Sequence, residues 1–251
     1  MLPHVYVQAI LTKLLYPPAC ALCHARCSPD VTIPTANRAM ICEECTNAMP
    51  RNGPPVCVRC GLELPGAYDA TMHCSSRRTT PPVFDAARAP WQYAGTAGHA
   101  VRQFKYHRRW RIGHWLAEEM TRTAHASLPL ADIDAILPVP SHWFKRWLKG
   151  WEPVESLAKT VSGSLGKPCL THHLRRTRWT KTQTRLRWQD RAQNVRAAFS
   201  VAGGTFPYRT VVLIDDVLTS GATANACARA LKAAGAHRVF ILAAARTPLH
   251  E

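Results

Sequence analysis

The chain has 251 residues, 47% of them hydrophobic, and a formal net charge of +16. That is enough for one mid-sized domain with a real core plus a small module. No apolar run approaches the length of a membrane span, and the charge excess favours a polyanionic partner, either nucleic acid or a phosphate-rich substrate.

Residues 1–19 place apolar side chains at 2, 5, 7, 10, 11, 14 and 15, the pattern of a short amphipathic helix packing on the domain. The alternative is an interfacial membrane helix, with Lys13 its only charge. A charged n-region and a small-residue cleavage site are both missing, so a secretory leader is not expected and the expected location is cytoplasmic.

Residues 20–80 hold eight of the ten cysteines. Cys20-x2-Cys23 and Cys42-x2-Cys45 are eighteen residues apart, the spacing of a four-cysteine zinc ribbon. A module this small and loop-rich cannot rely on its own core, so structural zinc would supply its stability. A second knuckle, Cys57-x2-Cys60-Gly61, has an incomplete partner: His73 and Cys74 are present, but Arg77 stands where another cysteine would fall. Cys57, Cys60, His73 and Cys74 form a second candidate zinc site; a metal-free loop is the alternative. Cys27 is a spare, and Cys169 and Cys227 read as packing residues.

After a linker at 79–82, residues 83–251 read as the main domain. Helices are expected over 97–105, 113–126 and 152–165, and a strand over 133–139 ending in Pro138-Val139-Pro140. Residues 171–198 read as loop-like and very basic. Val211 to Ile214 is a buried strand that delivers Asp215-Asp216 to a loop, Thr219-Ser220-Gly221-Ala222-Thr223, opening a helix over 224–234. A strand over 239–242 completes a βαβ unit. In such sheets ligands bind beyond the carboxyl ends of the strands. Small side chains let backbone N–H groups approach an anion, and a helix start adds its orphan donors and dipole. The adjacent carboxylates need hydroxyl donors, and ribose has two. The loop is neither a Walker A sequence nor a dinucleotide fingerprint.

Arg175, Arg176, Arg178, Trp179, Lys181, Arg185 and Arg187 belong to a basic stretch that continues through Arg191 and Arg196 and also holds Trp188. Trp143 to Trp151 and Lys105 to Arg111 are two more basic, aromatic stretches. Cations neutralise phosphates and indoles stack on unpaired bases, which suits single-stranded DNA. Two other readings stand beside this one. The tryptophans at 143, 147 and 151 fit a packed helical stripe, and the arginines could serve one pyrophosphate.

Together these residues resemble the ComF family, a branch of the type I phosphoribosyltransferase fold. Val211 to Thr223 is similar to its phosphoribosyl pyrophosphate loop, and Leu137-Pro138-Val139-Pro140 to its pyrophosphate-side strand end. Thr182, Gln183, Leu186, Arg191, Asn194, Val195 and Phe199 resemble the spacing of its flexible loop; Phe104-Lys105-Tyr106 agrees too. The family's Arg-Gly-Phe-Asn-Gln segment stands here as Lys149-Gly150-Trp151-Glu152-Pro153.

The resemblance implies an α/β fold, a parallel sheet flanked by helices with a small Cys-rich zinc-ribbon module in front. It assigns Asp215 and Asp216 to ribose hydroxyls and Thr219 to Thr223 to the 5′-phosphate. Lys105, Pro138, Val139, Pro140, Gln183 and Arg191 fall to the pyrophosphate side and flexible loop, with Mg2+ riding on the ligand's own oxygens. It also implies a role in natural transformation or the use of DNA as a nutrient, with proteins of the DNA-uptake machinery as partners. An active transferase acting on a nitrogen nucleophile, and a zinc-ribbon interaction module on an inactive fold, are the competing expectations.

Overall fold

In the computed structural model the described residues are 19–27, 41–64, 74, 81–140, 151–176 and 198–248. Two long apolar strands form the centre. β6 (Thr210–Leu218) and β7 (Arg238–Arg246) run parallel, and Val211 to Ile214 and Val239 to Ala245 are buried. Strands apolar on both faces belong in the interior of a parallel sheet. β3 (Ala135–Pro138) pairs with the outer side of β6. The short β1 (Ala86–Arg88) and β2 (Trp91–Gln92) both pair with β7, giving the order β1-β7-β6-β3. Ile136 also bridges Cys169, so the chain after the third long helix continues the sheet past β3.

Helices cover the sheet. α1 (Glu43–Asn47) is a short turn in the cysteine module. α2 (Gly95–His107), α3 (Trp110–Ser127) and α4 (Pro153–Leu165) pack together, and each contacts the sheet. α5 (Ala222–Ala233) packs instead on β7 and on the hairpin of β4 (Leu174–Arg176) and β5 (Phe199–Val201).

The helices expected over 97–105, 113–126, 152–165 and 224–234 and the central strands are present, with shifted ends. β6 runs four residues past Ile214, so the Asp pair lies inside the strand rather than just after it. The reason is register: Asp215 pairs with Ala243, Val217 with Ala245 and Leu218 with Arg246, so β7 extends the ladder under the carboxylates. The basic region read as loop-like, 171–198, holds the strand β4 near its start and ends just before β5. β1 and β2 escape pattern reading because strands of three and two residues carry no measurable period.

The cysteine module is docked on the edge of this sheet. Ala87 donates its N–H to the Arg59 carbonyl at 2.8 Å, and Asn52 Nδ2 donates to Gly61 and Ala89 carbonyls at 2.9 and 3.2 Å. Gly61 has a φ of +63°, and a Cβ there would collide with the Ala87 carbonyl. Arg51 lies 4.1 Å above the Trp91 ring, which stacks on Trp115 of α3, and ion-pairs with buried Glu119 at 3.2 Å.

Candidate functional site

The two carboxylates on β6 have different surroundings, as strand alternation requires of neighbours. Asp216 is buried and ion-pairs with Lys105 Nζ of α2 at 2.5 Å, while the Val217 N–H donates to its Oδ1 at 2.7 Å. Asp215 accepts the Asp216 N–H at 2.9 Å and lies close enough to Cys227 of α5 to push that buried thiol further up. Burial, with the Asp216 charge second, raises Asp215 to about 8. Burial alone would lower Lys105, but Asp216, with Tyr106 and Asp215 behind it, more than offsets this and holds it above the usual lysine value. A carboxyl this costly to ionise is poised for hydroxyl donors or a cation.

Beyond Leu218, Thr219 and Ser220 are exposed and Gly221 adopts φ +75° as the N-cap of α5, a cap residue with no side chain to offer the helix. The Ala222 N–H turns to Ser220 Oγ at 3.3 Å. Buried Arg246, at the end of β7, donates to the carbonyls of Leu218, at 2.7 Å, and Thr219. Carbonyls drawn inward leave exposed Thr219 and Ser220 and the helix start beside them, the polarity an anion requires. Arg246 is a site residue that motif reading missed. Its signal was present: a lone arginine ending the buried run Ala243-Ala244-Ala245.

One strand over, Val139 donates its N–H to the Ile214 carbonyl at 2.8 Å, so the end of β3 abuts the carboxylates. There Pro138, Val139 and Pro140 line a cleft of about 290 Å³ together with Glu152, His172, Arg175 and Arg176. Arg175 and Arg176, expected in a nucleic-acid loop, thus stand on β4 in the same cleft as the end of β3. The Arg176 guanidinium lies 5.6 Å over the Phe199 ring. Trp151, from the segment that departs from the family pattern, packs edge-on against Phe104 at 5.6 Å.

All ten cysteines are free thiols. Cys20, Cys23, Cys42 and Cys45 bring their sulfurs within 4.8 Å of one another, as do buried Cys57, Cys60 and Cys74. Cys23 and Cys42 sulfurs are 3.6 Å apart, Cys60 and Cys74 sulfurs 3.5 Å. Zn–S bonds of about 2.3 Å in a tetrahedron place sulfurs about 3.8 Å apart. The N–H groups of Leu22 and Cys42 each donate to Cys20 Sγ at 3.4 Å, supporting a thiolate. Both donor sets therefore fit zinc. Cys27 stands outside the first set, and its thiol donates to the Ala25 carbonyl at 3.8 Å.

The double zinc ribbon domain family matches residues 11–76. "Competence protein F" of Haemophilus influenzae is 32% identical over 201 residues, covering 76% of this chain and 85% of that protein. The chain belongs to the ComF family. Other relatives carry the name "DNA utilization protein YhgH": those of Shigella flexneri and Salmonella typhimurium are each 28% identical, covering 82% of this chain and 90% of theirs. Among solved structures, the glutamine phosphoribosylpyrophosphate amidotransferase from B. subtilis complexed with ADP and GMP is 22% identical with a TM-score of 0.36. It covers 53% of this chain, which spans only 26% of that chain's length. The site of this ComF-family chain rests on its own geometry.

Several residues expected at that site lie outside the described ones: Gln183 and Arg191 of the flexible loop, and Arg178, Trp179, Lys181, Arg185 and Arg187 of the basic stretch. His73, Trp143, Trp147 and the expected N-terminal helix up to residue 18 do as well. No described helix is long and apolar enough to cross a membrane.

Proposed function

We propose that this ComF-family chain binds phosphoribosyl pyrophosphate at the tip of β6 and single-stranded DNA around it, in competence or DNA utilisation. One observation carries the first part. A helix start behind exposed Thr219 and Ser220 follows, two residues on, a pair of adjacent carboxylates of which Asp215 is costly to ionise. The loop is shaped for a phosphate, and Asp215 and Asp216 are suited to the ribose hydroxyls beside it. Lys105 and the strand end Pro138 to Pro140 border the place a pyrophosphate would occupy. Bound with its ligand, Mg2+ would neutralise pyrophosphate charge and relieve Asp215. The names of the curated relatives, the net charge of +16 and the basic stretches support the DNA part.

Calorimetry with phosphoribosyl pyrophosphate and Mg2+ tests the ligand reading. The wild type is expected to bind and Asp215→Ala/Asp216→Ala to lose binding; a wild type that gives no heat and no competition overturns it. A second reading, a working transferase, is favoured by the cleft beside Pro138 to Pro140, which has room for an acceptor. In that chemistry a nitrogen nucleophile bonds to C1 of the ribose as pyrophosphate leaves with the C1–O electron pair. Much of the rate would come from positioning and leaving-group charge neutralisation. Pyrophosphate release across a panel of amines and bases decides it; silence leaves a binding protein.

A further inference from the structure

Tyr106 and Trp110 are 59% and 44% exposed, the large hydrophobic residues that the fold leaves at the surface among the described residues. They flank the turn between α2 and α3, where the chain passes through Arg108 in the left-handed region, with φ +53°. From Arg102 to His114 the sequence carries four arginines, one lysine and two histidines, His107 and His114, and no acidic residue. The Arg111 guanidinium sits 5.3 Å from the Trp110 ring centre, and His114 meets that ring edge-on at 5.8 Å, so aromatic surface and cation are held together. On one side of this corner Lys105 reaches Asp216; on the other, Arg109 Nη1 donates to the Ala21 carbonyl at 3.4 Å, beside the first cysteine knuckle.

We propose that the α2–α3 corner is a stacking platform for single-stranded DNA, with Tyr106 and Trp110 under unpaired bases and Arg108, Arg109 and Arg111 on phosphates. The occupant follows from the chemistry. A surface of one charge sign attracts a polyanion, and planar rings among those charges need exposed π-faces to stack on. In a duplex those faces are hidden in the base stack. Lys105, the neighbour of Tyr106, pairs with Asp216, so a strand on this corner would lie near the candidate ribose-phosphate site. The proposal rests on the DNA part of the reading above and adds where the strand lies.

The test is fluorescence anisotropy with a labelled oligo-dT over a salt series, using the full chain. The expected result is that Tyr106→Ala/Trp110→Ala binds at least ten-fold more weakly with an unchanged salt slope, since stacking is electrically neutral. Tyr106→Phe/Trp110→Phe should restore most of the affinity. Arg108→Gln/Arg109→Gln/Arg111→Gln should lower the salt slope by about two, at roughly 0.7 per phosphate contact. Both aromatics are at the surface, so an unchanged thermal transition verifies the fold. A wild type that does not bind oligo-dT overturns this proposal and the DNA reading together. A wild type that binds while the double alanine variant stays within two-fold overturns the platform alone and leaves the corner to a protein or an anionic membrane. Equal losses on duplex and single strand also overturn it.

Discussion

Asp215 is where the fold stores a cost. Its carboxyl sits near 8 in the folded chain against an ordinary value of 3.8, so between those values the folded protein holds a proton that the unfolded chain releases. The associated stability is complete below about pH 4 and is lost as pH rises toward 8. Asp215→Asn, neutral at every pH, should therefore match the wild type near pH 4 and exceed it increasingly up to pH 8, by about 1–3 kcal/mol. Thermal melts across that range check this; a constant offset would mean that Asp215 ionises normally. Arg246 makes the complementary prediction. Removing its donors in Arg246→Met leaves the Leu218 and Thr219 carbonyls without them, costing about 1–3 kcal/mol and weakening phosphoribosyl pyrophosphate binding in calorimetry. A variant that loses stability but keeps affinity would show that the loop holds its shape unaided.

Among the elements, α2 matters most because it carries Lys105 to the carboxylates. Its position depends on Phe104, fully buried against Trp151 and beneath Gly113 of α3. A Cβ at Gly113 would run into the Phe104 ring, so Gly113→Ala should cost about 1–3 kcal/mol by overpacking, read as a lower melting temperature. Affinity for phosphoribosyl pyrophosphate should fall with it, because the ring shares the helix with Lys105. α2 to α5 and the cores of β3, β6 and β7 were legible in the sequence, since the helices span enough residues to show a period and the strands are continuous apolar runs. β1, β2, β4 and β5 were not, because strands of two or three residues are chosen by their neighbours and carry no pattern of their own.

At the scale of the whole molecule, the cysteine module is fastened to the sheet rather than tethered to it. The second cluster is buried and its knuckle hydrogen-bonds to β1, while Cys23 of the first is exposed. Cys57→Ser/Cys60→Ser should lower the main thermal transition by several degrees, and Cys20→Ser/Cys23→Ser by roughly half as much or less. Metal analysis on the same samples should show the loss of one zinc in each. Equal effects would mean that the docking carries no stability.

By itself the sequence determined the chemistry at hand: cysteine pairs at metal-ligand spacing, a buried strand leading to acids and a small-residue loop, and an excess of cations. These are local patterns, written within a dozen or two residues and set by backbone geometry and side-chain type. Only the tertiary structure decided how they combine. The register of β6 on β7 placed the carboxylates inside the strand, aimed Asp216 at Lys105 and brought Arg246 under the loop. The β4–β5 pairing brought Arg175 and Arg176 into one cleft with Pro138 to Pro140. Such contacts join residues tens to more than a hundred positions apart, and strand pairing and burial across the whole core select them, which no local pattern encodes.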